Sequence, residues 1–234
     1  MFYFDEIEDR KVLKSDLLPE LKHFFTTRES VIRSNENGFP DIVLENIEII
    51  KKHFKVEELI SPIQTHSCNI EFAKVGETNY PETDALILAN MEQAVFLNFA
   101  DCTPVILYDK KQKIGAISHA GWRGTVQRIV PKTIEKMKSN LKDIVAVIGP
   151  SICLNCYEVG QDVFDKLKSS VEDFSGLYKD CFVDLKGINA RQLEEMGVKD
   201  IDICPYCTSC DNDKFFSYRK ENGTSSRHSA VIKL

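Results

Sequence analysis

Residues 98–125 read NFADCTPVILYDKKQKIGAISHAGWRGT, and the fold turns on this stretch. It holds two apolar runs, Pro104-Val105-Ile106-Leu107-Tyr108 and Ile114-Gly115-Ala116-Ile117, divided by the polar turn Asp109-Lys110-Lys111-Gln112-Lys113. Short β-branched runs around a charged turn read as paired strands. A hairpin makes neighbours of its outer ends. Cys102, just before the first run, and His119, just after the second, therefore meet at one sheet edge. A thiolate and an imidazole so placed can bind a metal or form a nucleophile–base pair. Taken singly, each reads as a packing residue, a buried thiol or an imidazole at a strand end. Gly121 and Gly124 flank Trp122-Arg123 and let backbone approach a ligand closely, which favours the chemical reading.

Upstream, Leu59-Ile60-Ser61-Pro62-Ile63-Gln64-Thr65-His66 reads as a strand ending on His66. Thr83-Asp84-Ala85-Leu86-Ile87-Leu88 reads as a second strand, entered through Pro81, and residues 94–99 lead into the central stretch. Residues 1–28 read as strand, loop and the short strand His23-Phe24-Phe25-Thr26-Thr27, ending in Arg28; Ser34-Asn35-Glu36-Asn37-Gly38 is turn material. Residues 41–54 carry Ile42, Ile47, Ile49 and Ile50, with acids first and Lys51-Lys52 last, the charge order a helix dipole favours.

Downstream, residues 125–141 are helical by pattern, and Pro131 either kinks the helix or marks where its regular part begins. Ile144-Val145-Ala146-Val147-Ile148 is continuous and apolar, hence a buried strand, ended by Gly149-Pro150. Residues 161–169 and 185–196 read as helices, the second stopped by Gly197. Residues 214–220 and 228–233 read as closing strands around the turn Glu221-Asn222-Gly223. Strands and helices mix without strict alternation. The fold class is α+β, a single domain over residues 1–234 with mixed β-sheets flanked by helices.

The 234 residues are 43% hydrophobic, ample for such a core. With 30 basic against 36 acidic residues and no basic block, nucleic acid is not the expected partner. The start, MFYFDEIEDRK, reads as neither signal peptide nor anchor, and no apolar run approaches the roughly 20 residues of a membrane helix. Eight cysteines in that context point to a reducing cytoplasm, as thiols or metal ligands rather than disulfides.

His66, Cys102 and His119 all fall at the ends of expected strands, and two imidazoles with one thiolate make a catalytic zinc set with an open fourth position. His23, His53 and His228 lack such context and read as packing or surface residues. Cys153-x-x-Cys156 and Cys204-x-x-Cys207-x-x-Cys210 are separated by far more than a zinc-ribbon spacing, and the triple lacks the fourth cysteine and proline of an iron–sulfur run; they read as thiols, with a second structural metal as the alternative.

These residues also resemble a known family. Gln64-Thr65-His66-Ser67 is similar to its QVHG-type motif, Thr83-Asp84-Ala85 to its TDA motif, and Ala100-Asp101-Cys102-Thr103-Pro104-Val105 to ADCxPV. His119-Ala120-Gly121-Trp122-Arg123-Gly124 matches HAGWRG. Further blocks follow at Ile148-Gly149-Pro150 with Cys156-Tyr157-Glu158-Val159, at Asp184-Leu185 with Asn189 and Gln192-Leu193, and at Phe215-Phe216-Ser217-Tyr218-Arg219 with Arg227. The chain is thereby identified as a member of the laccase-domain, or polyphenol-oxidase-like, purine nucleoside phosphorylases. The resemblance implies zinc held by His66, Cys102 and His119. It implies phosphorolysis of adenosine, inosine, guanosine and methylthioadenosine, deamination of adenosine, and a monomer or small homo-oligomer whose partners are purine nucleosides and phosphate. The sequence departs from the pattern where the family's Gly-Gly pair after Arg28 is Glu29-Ser30, where the late Thr-Gly-Arg is Ser225-Ser226-Arg227, and where Ser151 replaces a common cysteine.

On this reading Cys102, His119, Asp101 and Arg123 are the catalytic residues, with Arg123 the first candidate to hold phosphate through bidentate hydrogen bonds. Arg28, Gln64, Asp84, Arg219 and Arg227 are the expected substrate-binding residues; Asp84 and Asp101 can also orient a ligand histidine or act as acid or base. Two other classes compete. One is a cysteine hydrolase, an amidase on a cell-wall peptide precursor, with Cys102 and His119 as nucleophile and base. The other is a copper-dependent polyphenol oxidase, since the ligand set also suits copper, although five histidines cannot furnish four coppers.

Overall fold

The computed structural model describes residues 1–34 and 40–234. The chain opens with β1 (Phe2–Ile7), β2 (Arg10–Ser15) and β3 (Lys22–Thr26), followed by α1 (Pro40–Phe54). Next come β4 (Glu58–Ile60), β5 (Ile70–Phe72), β6 (Ala85–Leu88), β7 (Gln93–Phe99) and the central pair β8 (Thr103–Asp109) and β9 (Ile114–Ala120). The remainder is α2 (Trp122–Val126), α3 (Ile129–Met137), β10 (Ile144–Ile148), α4 (Gln161–Lys168), β11 (Tyr178–Lys179), β12 (Phe182–Val183), α5 (Leu185–Met196), β13 (Asp200–Ile203) and β14 (His228–Lys233).

Two six-stranded mixed sheets carry the fold, in the orders β1-β2-β3-β14-β7-β4 and β13-β10-β8-β9-β6-β5. Alternation along the strands separates their faces. Ile106 and Tyr108 of β8 turn to the other sheet and meet Phe25, Val95, Leu97 and Ile232. Val105 and Leu107 turn outward against Ile129, Ile134 and Leu193 of α3 and α5. On the far side, Phe24, Phe96 and Val231 pack against Ile50 and Phe54 of α1. The result is helix, sheet, sheet, helix. The central strands are buried on both faces, which is why they read as unbroken apolar runs. The expected α+β class with mixed sheets flanked by helices is what the chain adopts. No helix among the described residues is long and apolar enough to cross a membrane.

Several local expectations change. The strand expected over residues 59–66 stops at Ile60. Pro62 brings no N–H to a ladder, and the amides of Thr65, His66 and Ser67 are bound by a side chain instead. Residues 214–220 form turns rather than a strand, because the Glu221 carboxylate accepts from Ser217 N and from the Asn212 and Arg28 side chains. The N-terminal strand and loop are a two-stranded hairpin. β13 and the β11–β12 pair are too short to announce themselves in sequence. The helix expected over residues 125–141 is broken at Arg128, in the left-handed region with φ 59°, and α3 starts there with Pro131 in its first turn. Of the turn expected at residues 34–38, Asn35 to Gly38 lie outside the described residues.

Gly149, at the end of β10, shows how tightly the inter-sheet core is closed. A Cβ there would lie 2.2 Å from Cε1 of Phe25, which is fully buried. Gly149→Ala is expected to cost about 1–3 kcal/mol by overpacking. Urea denaturation checks this; unchanged stability would mean that the ring has room to move.

Candidate functional site

Strand register assembles the site. β8 and β9 pair antiparallel with Thr103 opposite Ala120 and Pro104 opposite His119, so Cys102 arrives beside Gly121. A Cβ on Gly121 would stand 2.8 Å from Cys102 Sγ and 3.3 Å from His66 Cδ2, so the close approach that this glycine permits is that of the ligand side chains themselves. β6 pairs with β9 on the other side, Ala85 opposite Ser118, and His119 N donates to Asp84 O at 2.8 Å.

Asp84 is fully buried, and its carboxylate organises two segments at once. Oδ1 lies 2.7 Å from His119 Nδ1 and accepts from His66 N at 3.1 Å. Oδ2 accepts from Thr65 N (3.1 Å), Ser67 N (2.7 Å) and Ser67 Oγ (2.7 Å). Three successive amides around His66, held at φ 61°, form an anion-binding nest filled by this side chain. With Nδ1–H donated to Asp84, Nε2 of His119 is left to ligate. The ligand atoms of His66, Cys102 and His119 all lie within 4.8 Å of one another, and the rings of His66 and His119 meet edge-on with centroids 4.8 Å apart. Two imidazole nitrogens and one thiolate around a glycine-cleared space fit a borderline-soft divalent ion.

Charge is concentrated here. Burial pushes the Cys102 thiol up, but the imidazoles of His119 and His66 outweigh it and bring it down to about 6. Burial disfavours the His119 imidazolium, and Cys102 and Asp84 overcome that, raising it to about 9. Each group thus favours the charged form of the other, Cys102 towards thiolate and His119 towards imidazolium.

His66, Cys102 and His119 line a cavity of about 950 Å³ at the edge of the sheets. Gln64 is on its wall, with Oε1 and Nε2 both paired to the backbone of Asn98. Asp101 lines it too. Held at φ 84°, it accepts from Thr208 Oγ1 and from Arg219 N, each at 2.7 Å, so its carboxylate clamps the C-terminal loops beside Cys102. Arg219 and Arg227 both line the cavity. Arg227 is half-buried, and desolvation lowers its pKa.

Three expected residues sit elsewhere. Asp84 lies beneath the site, with its oxygens bound to His119 and the loop of residues 65–67, so orienting a ligand is the role its contacts supply, not touching substrate. Arg123 is exposed on α2 with its guanidinium 4.3 Å from the centre of the Trp122 ring, and it is not on the cavity wall. Arg28 is bound to Asn212 O, Phe215 O and Glu221 and stacks on Phe216. Conversely, Tyr157 and Asn98 line the cavity without having been singled out. Burial holds the Tyr157 phenol well above its ordinary range, so it stays protonated. Its place in the Cys156-Tyr157-Glu158-Val159 block is the sequence signal for it.

Comparison with known proteins places the chain in a family. The family model described as multi-copper polyphenol oxidoreductase laccase matches residues 31–234. A purine nucleoside phosphorylase of Clostridium acetobutylicum is 36% identical over 215 residues, covering 89% of this chain and 90% of that protein. Adenosine deaminase RL5, from an unknown prokaryotic organism, is 32% identical over 192 residues, 74% of this chain and 73% of that one. The crystal structure of the Bacillus licheniformis hypothetical protein YfiH superposes with a TM-score of 0.88 at 26% identity, covering 99% of this chain and 98% of the other.

Two outcomes test the site. Asp84 is held at about 2, below its ordinary 3.8, as the bonds from His119 and Ser67 outweigh the burial that would raise it. A depressed carboxylate stabilises the fold above its unfolded pKa, and that contribution is lost as pH falls from about 4 towards 2. Asp84→Asn should lose less stability over that interval in acid denaturation of metal-free protein, and should bind metal about 10–100-fold more weakly. Independently, thiolate absorbance of metal-free protein should rise through about pH 6, and this step should be missing in Cys102→Ala. A step unchanged in the variant would place the low-pKa thiol elsewhere.

Proposed function

This chain belongs to the family described as multi-copper polyphenol oxidoreductase laccase, and we propose that within it the chain is a zinc-dependent purine nucleoside phosphorylase that also deaminates adenosine. The observation that carries this reading is one cavity bounded by the His66, Cys102 and His119 group and by the cations Arg219 and Arg227. The similarity to a named purine nucleoside phosphorylase and a named adenosine deaminase supports it.

Phosphorolysis joins a phosphate oxygen to the anomeric carbon as the carbon–nitrogen bond breaks and the purine departs with its electron pair. The protein must hold an anion, seat the base and place the two in line. Arg219 and Arg227 supply the anion site; Arg227 is half-buried, so a negatively charged occupant would offset part of its desolvation. Ile47, Pro62 and Phe96 offer an apolar wall to the purine. Tyr157 presents a protonated phenol as a hydrogen-bond donor to the substrate. Asp101 acts by position: it fixes the backbone of Arg219 relative to Cys102. His66, Cys102 and His119 would hold zinc, which when bound supplies a Lewis acid, and an activated water for deamination.

The Cys102–His119 pair favours a second reading, a cysteine hydrolase with Cys102 as nucleophile. Copper oxidation has less support. His23 is tied to Ser15 N and Leu21 O, and His228 is buried beside Phe99 and Phe215, so neither joins the metal group.

Inosine should release hypoxanthine only with phosphate present, yielding ribose 1-phosphate. Equal rates without phosphate, with ribose as product, would make it a hydrolase. Amide cleavage without nucleoside turnover would select the cysteine hydrolase. Arg227→Ala should keep its zinc but lose about ten- to a hundredfold in phosphate-dependent rate, as expected for a contact of about 1.5–3 kcal/mol. Deamination should suffer less, and Arg123→Ala, outside the cavity, should lose less than Arg227→Ala.

A further inference from the structure

Cys153-x-x-Cys156 and Cys207-x-x-Cys210 are distant in sequence but adjacent in the fold. Ser151 bridges Cys207 in parallel, and Thr208 N donates to Ser151 O at 3.2 Å, so the two loops run side by side. The four sulfurs all lie within 4.8 Å of one another, with Cys156 and Cys210 Sγ 3.5 Å apart. Around a tetrahedral zinc with bonds of about 2.3 Å, sulfurs stand about 3.8 Å apart. Two backbone N–H groups, of Cys153 at 3.3 Å and Cys210 at 3.4 Å, are aimed at the Cys207 sulfur, as a thiolate requires. The loops are pre-shaped: Cys156 N donates to Cys153 O at 3.0 Å, and Cys207 N to Asp211 Oδ2 at 2.9 Å. Cys204, the first cysteine of the C-x-x-C-x-x-C run, takes no part and packs in the inter-sheet core.

We propose that Cys153, Cys156, Cys207 and Cys210 bind one structural zinc ion, separate from the His66, Cys102 and His119 group. Four thiolates close a tetrahedral shell and leave no position for substrate, which makes the site structural. Zinc is the redox-silent choice for such a set. The ion ties together two walls of the cavity. Tyr157 follows Cys156 directly, and the second loop reaches Asp101 through Thr208 Oγ1 and Arg219 N. Cross-linking there offsets the entropy of ordering two irregular segments that have little ladder hydrogen bonding.

Elemental analysis should find about two zinc per chain in the wild type and about one in His119→Ala. Cys156→Ser with Cys210→Ser, the more accessible pair, should also fall to about one while keeping the other site. Zinc-edge X-ray absorption on His119→Ala needs no cysteine variant and should return a sulfur-only shell at about 2.3 Å. Zinc abolished by His119→Ala, a nitrogen- or oxygen-rich shell in that variant, iron in place of zinc, or a Cys156–Cys210 disulfide recovered from unreduced protein would each overturn the proposal.

Discussion

The buried carboxylate of Asp84 is the constraint on which the site depends. A buried charge is costly unless it is fully paired, and here one carboxylate meets three successive amides, a hydroxyl and an imidazole. The same bonds that satisfy it hold His66 in a left-handed conformation and fix the tautomer of His119. Two histidines from distant segments are thus set by one side chain. Residues 61–69 do not continue the strand: the amides of Thr65, His66 and Ser67 are committed to that carboxylate, Ile63 N to Tyr80 O, and Pro62 has none to give.

Around this centre the four layers act as a rigid frame. The β8–β9 pair lies in the middle of its sheet, and both its faces are packed. Its open end therefore carries Cys102 and His119 to a boundary where apolar core gives way to a polar cavity. Such boundaries suit chemistry: low dielectric strengthens the Cys102–His119 pair, while the cavity admits a solute. Asp101 repeats the device on a smaller scale. Its backbone carbonyl accepts from Ser151 Oγ and Ile152 N, and its carboxylate from Thr208 and Arg219. The segments that supply the cavity arginine and Tyr157 are thereby tied to the residue next to Cys102.

Much was legible in sequence, and for physical reasons. The apolar runs at residues 104–108, 114–117 and 144–148 are buried on both faces, so composition alone marked them as strands. Gly197 stops α5 in the left-handed region as its position suggested. The paired ends of the central hairpin brought Cys102 to His119 from pattern and turn alone. Short strands such as β5 and β13 were not legible, because their pairing is decided by neighbours that sequence places far away. The turns at residues 214–220 looked like strand because Phe215 and Phe216 are buried, yet Phe215 N donates to Asp211 O within a turn and Ser217 N to the Glu221 carboxylate, so no ladder forms.

By itself, then, the sequence determined the layered α+β class, the hairpin and the meeting of Cys102 with His119 at its open end, since these follow from local periodicity and turn chemistry. Tertiary structure alone decided which charges face the cavity. Arg123 is next to the site in sequence but stacks outward on Trp122, whereas Arg219 and Arg227 arrive from the far end of the chain. It also decided which cysteines cluster: Cys204 turns into the core, while Cys207 and Cys210 cross to Cys153 and Cys156. Side-chain direction at a loop is set by what packs against it, and that information lies in no window of the sequence.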